Sequence, residues 1–378
     1  YYIITLLMMN LIIFIKYFFK AKWRIKLPKK NKFVLVDGDY NPFLRYIRKK
    51  DFTILYRRGE EINFSILFKC LIKLKFSTLD YCVEFIKQVS PKLILTAFDY
   101  HIIFYKLSKK TGIKTLMIQK GARTNAYLPS NVNKNKNYFS KNSKKDFHVD
   151  YVLLFNGTVK KFYSNKINGK FFEIGSFENN FTKPNLKKQK KEIVFISNYS
   201  HDKKDKCENE DLVAFNLNEL AKKNNINFNI LPRYRKNPII FTKEKSYYKR
   251  TLKNNFKFIL DKNKSSYDII QNFKFIFSTY STLAIECLPK GLRVGFIMIK
   301  SKKNTVYNYR FGSFENLKKK GSFWTTLSKI NKPEINRVYN FVTKSNQSLW
   351  IRKINIHKNK TMKFDYDNKT FKKIIKNL

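Results

Sequence analysis

Short apolar runs alternate with amphipathic stretches over the first half of the chain. The apolar runs are predicted strands at 32–36, 53–56, 92–98, 114–118, 151–155 and 170–174. Between them, residues 64–74, 79–89 and 101–111 have helical periodicity. Strands that alternate with helices are typical of a parallel, doubly wound sheet, in which ligands bind at the carboxyl ends of the strands. Asp37, Asp99 and Gln119 each follow a predicted strand and are expected at that edge.

A polar run at 183–191 is predicted to be an interdomain linker, because a second series of the same kind follows it. That series has predicted strands at 193–197, 227–231, 257–260, 275–277 and 293–299, and predicted helices at 211–223, 243–254 and 283–288. The 378 residues are enough for two cores. We therefore expect an α/β fold of two Rossmann-like domains facing a cleft, at 26–187 and 188–340. A helical tail at 341–378 is predicted to pack back on them.

The first residues form a different kind of segment. Residues 3–19 are strongly apolar, are interrupted by Asn10 and Lys16, and are followed by several cations. The segment is short for a full span of the bilayer and has no small-residue cleavage site after it. We predict a membrane-associated helix over 1–25 that lies on the bilayer surface, with its lysines on anionic head groups. A signal anchor and a buried first helix are the alternatives.

Composition and charge indicate which classes of binding partner to expect. Hydrophobic residues make up 43% of the chain, as in globular proteins, and the formal net charge is +51. The excess is mostly Lys, whereas Arg is the usual reader of bases, so nucleic acid is not expected as a partner. An anionic membrane surface and an anionic donor are expected instead. The four cysteines and four histidines are scattered, which indicates a reducing cytoplasm and predicts no metal site.

The strand predicted at 275–277 leads into a turn that is rich in hydroxyl groups. Ser278, Thr279, Ser281 and Thr282 lie in this turn, and the predicted helix follows it directly. A Ser or Thr at this position either caps the helix or leaves its first amide groups for a phosphate. Glu286, one turn into the helix, either accepts hydrogen bonds from a ribose or is exposed to solvent.

Two carboxylates of the first domain are candidate catalytic bases. Asp99 ends a predicted strand and is placed to deprotonate an acceptor hydroxyl, or else to cap the following helix. Asp37 begins the triplet Asp37-Gly38-Asp39, a D-x-D pattern that binds a divalent metal in one class of transferases. Aspartates after strands are also common as helix caps and in turns.

Two arginines and one tryptophan are further candidates. Arg123 is suited to a phosphate or a sugar carboxylate as a bidentate donor, and a surface cation is the alternative. Arg233, after a strand and Pro232, has a comparable position for the phosphates of a donor. Trp324 either stacks on a sugar or base or packs in the core.

An ordered series of short segments resembles bacterial surface-carbohydrate (lipopolysaccharide or capsule) biosynthesis proteins of the GT-B glycosyltransferase type. The series runs VDGD, YRRGE, LTAFD, IQKGAR, DYVLLFN, EIGSFENN, FISNYS, STYSTLAIE, KKGSFWT and FDYDN, from about residue 30 to the end. The turn at 281–291 is similar to the S-T-x-x-x-E-x-x-x-x-G turn of that family, which meets the donor's diphosphate and ribose. The chain departs from the family pattern at Lys120, Tyr100 and Ala284-Ile285.

The resemblance implies a glycosyltransferase that moves a sugar from a nucleotide-sugar donor to a surface-glycan or lipid-linked acceptor. The second domain would bind the donor through Ser278, Thr279, Ser281, Thr282, Glu286 and Arg233. The first domain would hold the acceptor with Gln119 and Arg123, and Asp99 or Asp37 would act as base. A helix dipole and basic side chains would stabilise the leaving diphosphate, so no cofactor or divalent metal is expected.

The expected location is the cytoplasmic face of the inner membrane, as a peripheral or monotopic protein. Two other functions stay open at the level of sequence. One is a transferase of a polyol phosphate from a CDP-linked donor, although the chain has Leu231-Pro232-Arg233 where such enzymes have a histidine. The other is a non-catalytic, membrane-associated scaffold of glycan assembly.

Overall fold

The computed structural model describes residues 20–37, 41–57, 60–99, 102–121, 143–200, 209–253, 256–299, 317–357 and 360–378. The apolar segment 3–19 lies outside them. Where the structure begins, the prediction of a helix that continues to residue 25 is wrong, because Lys22–Arg24 form strand β1. This strand pairs in parallel with β4, Glu61–Asn63, and the pairing satisfies backbone groups that a helix would have bonded internally.

The first domain contains a six-stranded sheet in which all strands are parallel. Its strands, in spatial order, are β3 (Phe52–Leu55), β2 (Phe33–Val36), β5 (Leu93–Thr96), β6 (Lys114–Ile118), β7 (His148–Leu154) and β8 (Asn168–Glu173). The chain order reverses between β2 and β5. Strands buried on both faces are expected to be continuously apolar, and β2, with sequence FVLV, is buried at every position.

The α-helices of the first domain cover one face of this sheet, and the 3-10 helix Asn41–Arg45 and the end of the chain cover the other. The α-helices are α1 (Phe64–Ile72), α2 (Thr78–Val89), α3 (Phe104–Thr111), α4 (Ser143–Asp146) and α5 (Gly157–Ser164). Alternate residues of each strand enter two separate cores: Val34 and Val36 pack with α1, α2 and α3, whereas Phe33 and Leu35 pack with Phe177 and the end of the chain. The period of two along a strand produces this division.

The second domain contains a seven-stranded sheet. Its strands, in spatial order, are β11 (Lys257–Phe258), β10 (Phe228–Leu231), β9 (Lys190–Ile196), β12 (Phe273–Ser278), β13 (Arg293–Ile299), β15 (Trp324–Leu327) and β14 (Lys320–Gly321). Only the pairing of β14 with β15 is antiparallel among these strands. The six parallel strands have the order 3-2-1-4-5-6 of a dinucleotide-binding sheet, and the order reverses between β9 and β12.

The helices of the second domain pack around one large core. They are α6 (Glu210–Lys223), α7 (Pro238–Leu252), α8 (Ser266–Ile270), α9 (Thr282–Cys287), α10 (Lys332–Lys344) and α11 (Gln347–Asn355). Trp324 is 4% exposed and belongs to this core, which agrees with the packing alternative for this residue. The edge formed by β14 and β15 was not foreseen from the sequence, because these strands are short.

The end of the chain returns to the first domain. Helix α12, Lys369–Lys376, buries Phe371 and Ile374 in the first domain's core. Just before it, Phe364 forms an isolated antiparallel bridge with Gly175. Gly175 has φ of +74°, and a Cβ there would lie 1.8 Å from the carbonyl oxygen of Lys363, so only glycine fits this crossing.

The sequence therefore predicts the mixed α/β class, the parallel sheets and the helical end of the chain correctly. Most predicted elements begin and end within a few residues of the observed ones, and 114–118 and 293–299 agree at both ends. Among the described residues, no helix combines the length and the apolar composition that crossing a bilayer requires.

Candidate functional site

The carboxyl ends of β9 and β12 lie side by side where the strand order of the second sheet reverses. Ser278 ends β12, and its hydroxyl donates to the carbonyl oxygen of Ile196 at 3.2 Å, which joins the two strand ends. The amide oxygen of Asn198 accepts from the backbone amides of Tyr280 (2.8 Å) and Ser281 (3.1 Å) when it is oriented towards the turn. These hydrogen bonds fix the turn at 278–282 at the point where such sheets bind ligands.

A buried carboxylate, Glu210, is hydrogen-bonded to this turn and to the neighbouring strand end. It begins helix α6, is 2% exposed, and accepts from Tyr248 Oη (2.5 Å), the amide of Asn198 (2.7 Å) and Thr279 Oγ1 (3.2 Å). Burial raises the pKa of Glu210 to about 7, against the lowering effect of these three hydrogen bonds. The side chain therefore ties β9, β12 and α7 together and titrates near neutral pH.

A second buried carboxylate, Glu244, lies beneath the next strand end. It is fully buried in α7 and accepts the backbone amides of Arg233 (2.9 Å) and Tyr234 (3.0 Å), which follow β10. Burial raises its pKa, while a hydrogen bond from Ser197 and the two amides lower it. None of the described lysines and arginines forms a salt bridge with Glu210 or Glu244, and hydrogen bonds from hydroxyls and backbone amides hold both carboxylates in place.

The helix that begins at this turn has no side-chain cap. Ser281 is the N-cap residue of α9, yet its side chain accepts no hydrogen bond from the first amides of that helix. Most serines at this position cap their helix. The structure therefore does not support the alternative in which Ser281 caps α9. Thr282 is the first helical residue and is partly exposed.

Glu286 is buried between the two domains. It is 3% exposed, which makes the solvent-exposed alternative wrong. Burial raises its pKa to about 7, the hydroxyls of Ser176 and Tyr267 lower the pKa by hydrogen bonding, and nearby Glu178 raises it. Asn179 Nδ2 also donates to the carbonyl oxygen of Glu286 at 2.7 Å, so first-domain residues reach α9 directly.

Arg233 is exposed at the carboxyl end of β10, next to the same edge. Its guanidinium donates to the carbonyl oxygen of Tyr199 at 3.3 Å and lies 5.5 Å from the centre of the Tyr234 ring. Since its backbone is fixed by Glu244, the side chain is held near the ends of β9 and β10. The structure thus brings Ser278, Thr279, Ser281, Thr282 and Arg233 to one edge, and places Glu286 on the domain-facing side of α9.

The candidate residues of the first sheet are bonded within their own domain. Asp37 accepts from the amide (2.7 Å) and from Nε (2.8 Å) of Arg57 in a buried ion pair. Asp99 is fully buried, and its Oδ2 accepts from Tyr163 Oη at 2.9 Å. Helix α3 has Ile103 as its N-cap residue, so Asp99 does not cap it.

Gln119 also contributes to the fold of the first domain. Its amide accepts from the backbone of Phe155 (2.9 Å) and donates to the carbonyl oxygen of Gly121 (2.9 Å), which fixes the chain after β6. Arg123 and Asp39 lie outside the described residues. The catalytic roles of Asp99 and Asp37 and the acceptor role of Gln119 stay predictions.

The buried acids of the second domain have little signal in the sequence. Asn198 follows a predicted strand and was open to the same strand-end argument as Ser278. Glu210 lies in a charged stretch, and Glu244 lies among lysines in a helix, where an exposed ion pair is the ordinary expectation. Among the described residues, no group of three or more His, Cys, Asp or Glu side chains is arranged to hold a metal ion.

Comparison with solved structures shows the fold. The wall teichoic acid polymerase TagF, as its H548A variant, is 12% identical, with a TM-score of 0.52 over 93% of this chain and 89% of that chain. A "putative UDP-N-acetylglucosamine 2-epimerase" from Listeria monocytogenes is also 12% identical, with a TM-score of 0.50 over 88% of this chain and 92% of that chain. Both likenesses support the predicted GT-B-like arrangement of two α/β domains.

Sequence comparison identifies the family. No curated protein sequence matches the chain. The profile of the family described as "putative O-antigen biosynthesis protein" matches residues 116–378, which is more than half of the chain. The resemblance to surface-carbohydrate biosynthesis proteins is thereby confirmed. The chain belongs to this O-antigen biosynthesis protein family and has a GT-B-like fold.

Proposed function

We propose that the protein is a glycosyltransferase that moves a sugar from a nucleotide-sugar donor to a surface-glycan precursor. The observation that carries the proposal is the uncapped start of α9 at the reversal point of the second sheet. Backbone amides at such a position bind phosphate groups well, because they carry unsatisfied donors and the positive end of the helix dipole. The donor's diphosphate would bind there, next to Ser281 and Thr282.

Neighbouring side chains could bind the diphosphate and the ribose of the donor. Arg233 is exposed beside the turn and would add a cation for the leaving diphosphate. Glu286 would bind the ribose, since its present partners, Ser176 and Tyr267, are hydroxyl groups with the same hydrogen-bonding chemistry. The acceptor would bind across the cleft in the first domain, at the cytoplasmic face of the membrane. These donors and the helix dipole would stabilise the leaving diphosphate without a metal.

A thermal-shift measurement with UDP, GDP, CDP and CMP, with and without Mg²⁺, tests the proposal. A nucleotide that binds the folded chain raises the melting temperature by mass action. We expect one diphosphate to stabilise the protein, and we expect the Glu286→Gln variant to lose most of that shift. Glu219→Gln is the matched control, because the Glu219 side chain is 43% exposed and pairs with Lys222 at the helix surface.

The other outcomes separate the alternatives. Stabilisation by CDP or CMP alone would favour the transferase of a polyol phosphate. A flat response to all four nucleotides would contradict both transferases and favour the non-catalytic scaffold. An equal shift in the wild type and Glu286→Gln would remove Glu286 from the donor site.

A further inference from the structure

Exposed apolar side chains are concentrated in one part of the first domain. Of the 16 large apolar side chains that are exposed among the described residues, six lie between 64 and 76. They are Phe64 (50% exposed), Phe68 (53%), Leu71 (46%), Ile72 (67%), Leu74 (78%) and Phe76 (74%), and we refer to them as the apolar face. Contiguous exposed apolar surface of this kind marks an interaction site.

The apolar face follows from the geometry of α1. At about 100° per residue, Phe64, Phe68, Leu71 and Ile72 fall within an arc of about 100° on the helix. Ile66 and Cys70 lie on the opposite side and are buried in the first domain's core. The helix is therefore apolar on both sides, and only the side with Ile66 and Cys70 packs into the core.

Basic residues lie directly beside the apolar face. The stretch 20–30 contains five lysines and one arginine, no acidic residue, and two further exposed apolar side chains, Ile25 and Leu27. Asn63 holds this stretch against the start of α1 by donating to the carbonyl oxygen of Lys26 at 2.8 Å. The ring of Trp23 contacts that of Phe64 edge-on, with 6.3 Å between centroids.

A cavity of about 790 Å³ lies between this basic stretch and the edge of the first sheet. Its lining includes Trp23, Arg24, Lys26, Lys29, Tyr56 and Tyr81. The lining also contains Glu61, whose carboxylate pairs with Arg24 at 3.0 Å. Lys26, Lys29 and the polar atoms of the aromatic rings therefore suit a phosphate-bearing head group, whose acyl chains would continue towards the apolar face.

We propose that the apolar face and the 20–30 stretch together dock the first domain on an anionic phospholipid bilayer. An apolar helix side flanked by lysines matches the interfacial level of such a bilayer, where acyl chains and anionic head groups meet. A second copy of the chain is a poorer occupant, because a symmetric interface would place the same basic stretch against itself.

The path of the chain supports the same orientation. Strand β1 pairs with β4 immediately before α1, in register Lys22 with Glu61, so the basic stretch 20–30 is fixed beside the apolar face. This docking surface belongs to the first domain and does not depend on the proposed transferase activity.

Quenching of tryptophan fluorescence by brominated phospholipids tests the proposal in the full chain. Trp324 and Trp350 are buried in the second domain and give a constant background. In a Trp23→Phe background, the Phe68→Trp substitution places an indole in the apolar face. We expect vesicles of brominated phosphatidylglycerol and phosphatidylcholine to quench this indole, and phosphatidylcholine alone to quench it much less.

The matched control is Ile239→Trp in the same background, since Ile239 is 76% exposed on the second domain. We expect no quenching there. The double variant Phe68→Ser/Ile72→Ser should weaken binding to the anionic vesicles by at least about tenfold in a sedimentation assay, because both side chains leave water on docking.

Three results would overturn the proposal. An unquenched indole at position 68 in protein that is bound to vesicles would show that the apolar face does not contact the bilayer. Equal quenching at positions 68 and 239 would indicate unspecific adsorption of a cationic chain. A lipid-independent dimer that the Phe68→Ser/Ile72→Ser variant dissociates would identify a second copy as the occupant.

Discussion

In both sheets, polar side chains lie at or near the carboxyl ends of the strands. The two sets of side chains differ in their hydrogen-bond and salt-bridge partners. On the first sheet, Asp37 pairs with Arg57, and Asp99 accepts from Tyr163. On the second sheet, the buried carboxylates Glu210 and Glu244 have raised pKa values and form no salt bridge with any described residue. Buried acids of this kind lower stability, and proteins keep them mainly at functional sites. The comparison therefore favours the second edge for the proposed donor site, and the catalytic roles of Asp99 and Asp37 at the first edge stay predictions.

The largest expected effect is a loss of stability as pH rises. The folded-state pKa of Glu210 and of Glu286 is about 7, above the ordinary 4.5, so the folded chain holds protons that the unfolded chain releases between these values. Stability should fall by about 3 kcal/mol per group from pH 4.5 to 7 and then level off. Urea unfolding across this range measures it. Glu210→Gln and Glu286→Gln should each remove part of the slope, and Glu219→Gln should leave it unchanged.

The second-largest expected loss of stability follows from breaking the Arg57–Asp37 ion pair of the first sheet. Arg57→Met leaves the 4%-exposed carboxylate of Asp37 without its cation, and we expect a loss of about 3 kcal/mol. Arg48→Met is the control, because Arg48 pairs with Asp51 at the surface and is 65% exposed. Its effect should stay below about 1 kcal/mol. Urea midpoints measure both, and equal effects would mean that Asp37 is not held as the structure indicates.

A smaller effect is expected at Asp99. Tyr163→Phe removes the hydroxyl that donates to the buried carboxylate, and the loss should be about 1–2 kcal/mol in the free energy of unfolding. Tyr366→Phe, at an exposed position, should have no effect. Urea midpoints measure both variants, and equal effects would contradict the hydrogen bond between Tyr163 and Asp99.

The smallest expected change in stability is at Ser281, and it tests directly whether the start of α9 is uncapped. Ser281→Ala should change the free energy of unfolding by less than about 0.3 kcal/mol, because Ser281 caps nothing. Asn237→Ala should cost about 1 kcal/mol, since Asn237 accepts from the amide of Ile240 at the start of α7. We nevertheless expect only Ser281→Ala to weaken nucleotide binding. A loss of stability at Ser281 equal to that at Asn237 would contradict the uncapped helix.

The fold was largely predictable from the sequence because parallel strands buried on both faces are continuous apolar runs. The strands at 114–118 and 293–299 could be predicted from these runs alone, without knowledge of their tertiary contacts. Strands β1 and β4 were missed because each is three residues long and is stabilised only by pairing with the other. The helix predicted up to residue 25 was too long for the same reason.

The candidate site was predictable only in part. Ser278 to Thr282 follow a strand, and the strand-end rule finds such residues directly. The buried state of Glu210, Glu244 and Glu286 depends on which helices pack above them, and sequence periodicity does not contain that information. Asp99 and Gln119 also follow strands, yet their bonds to Tyr163 and Phe155 come from residues distant in the chain.

The return of helix α12 to the first domain has a consequence for synthesis on the ribosome. Phe371 and Ile374 complete one face of the first domain's core, although nearly 200 residues separate them from the rest of that domain. Domains made first usually fold first. Here the second domain can close its core while the first still exposes an unfilled apolar surface. The domain that is translated first is therefore the one that finishes folding last, after residues 369–376 have left the exit tunnel.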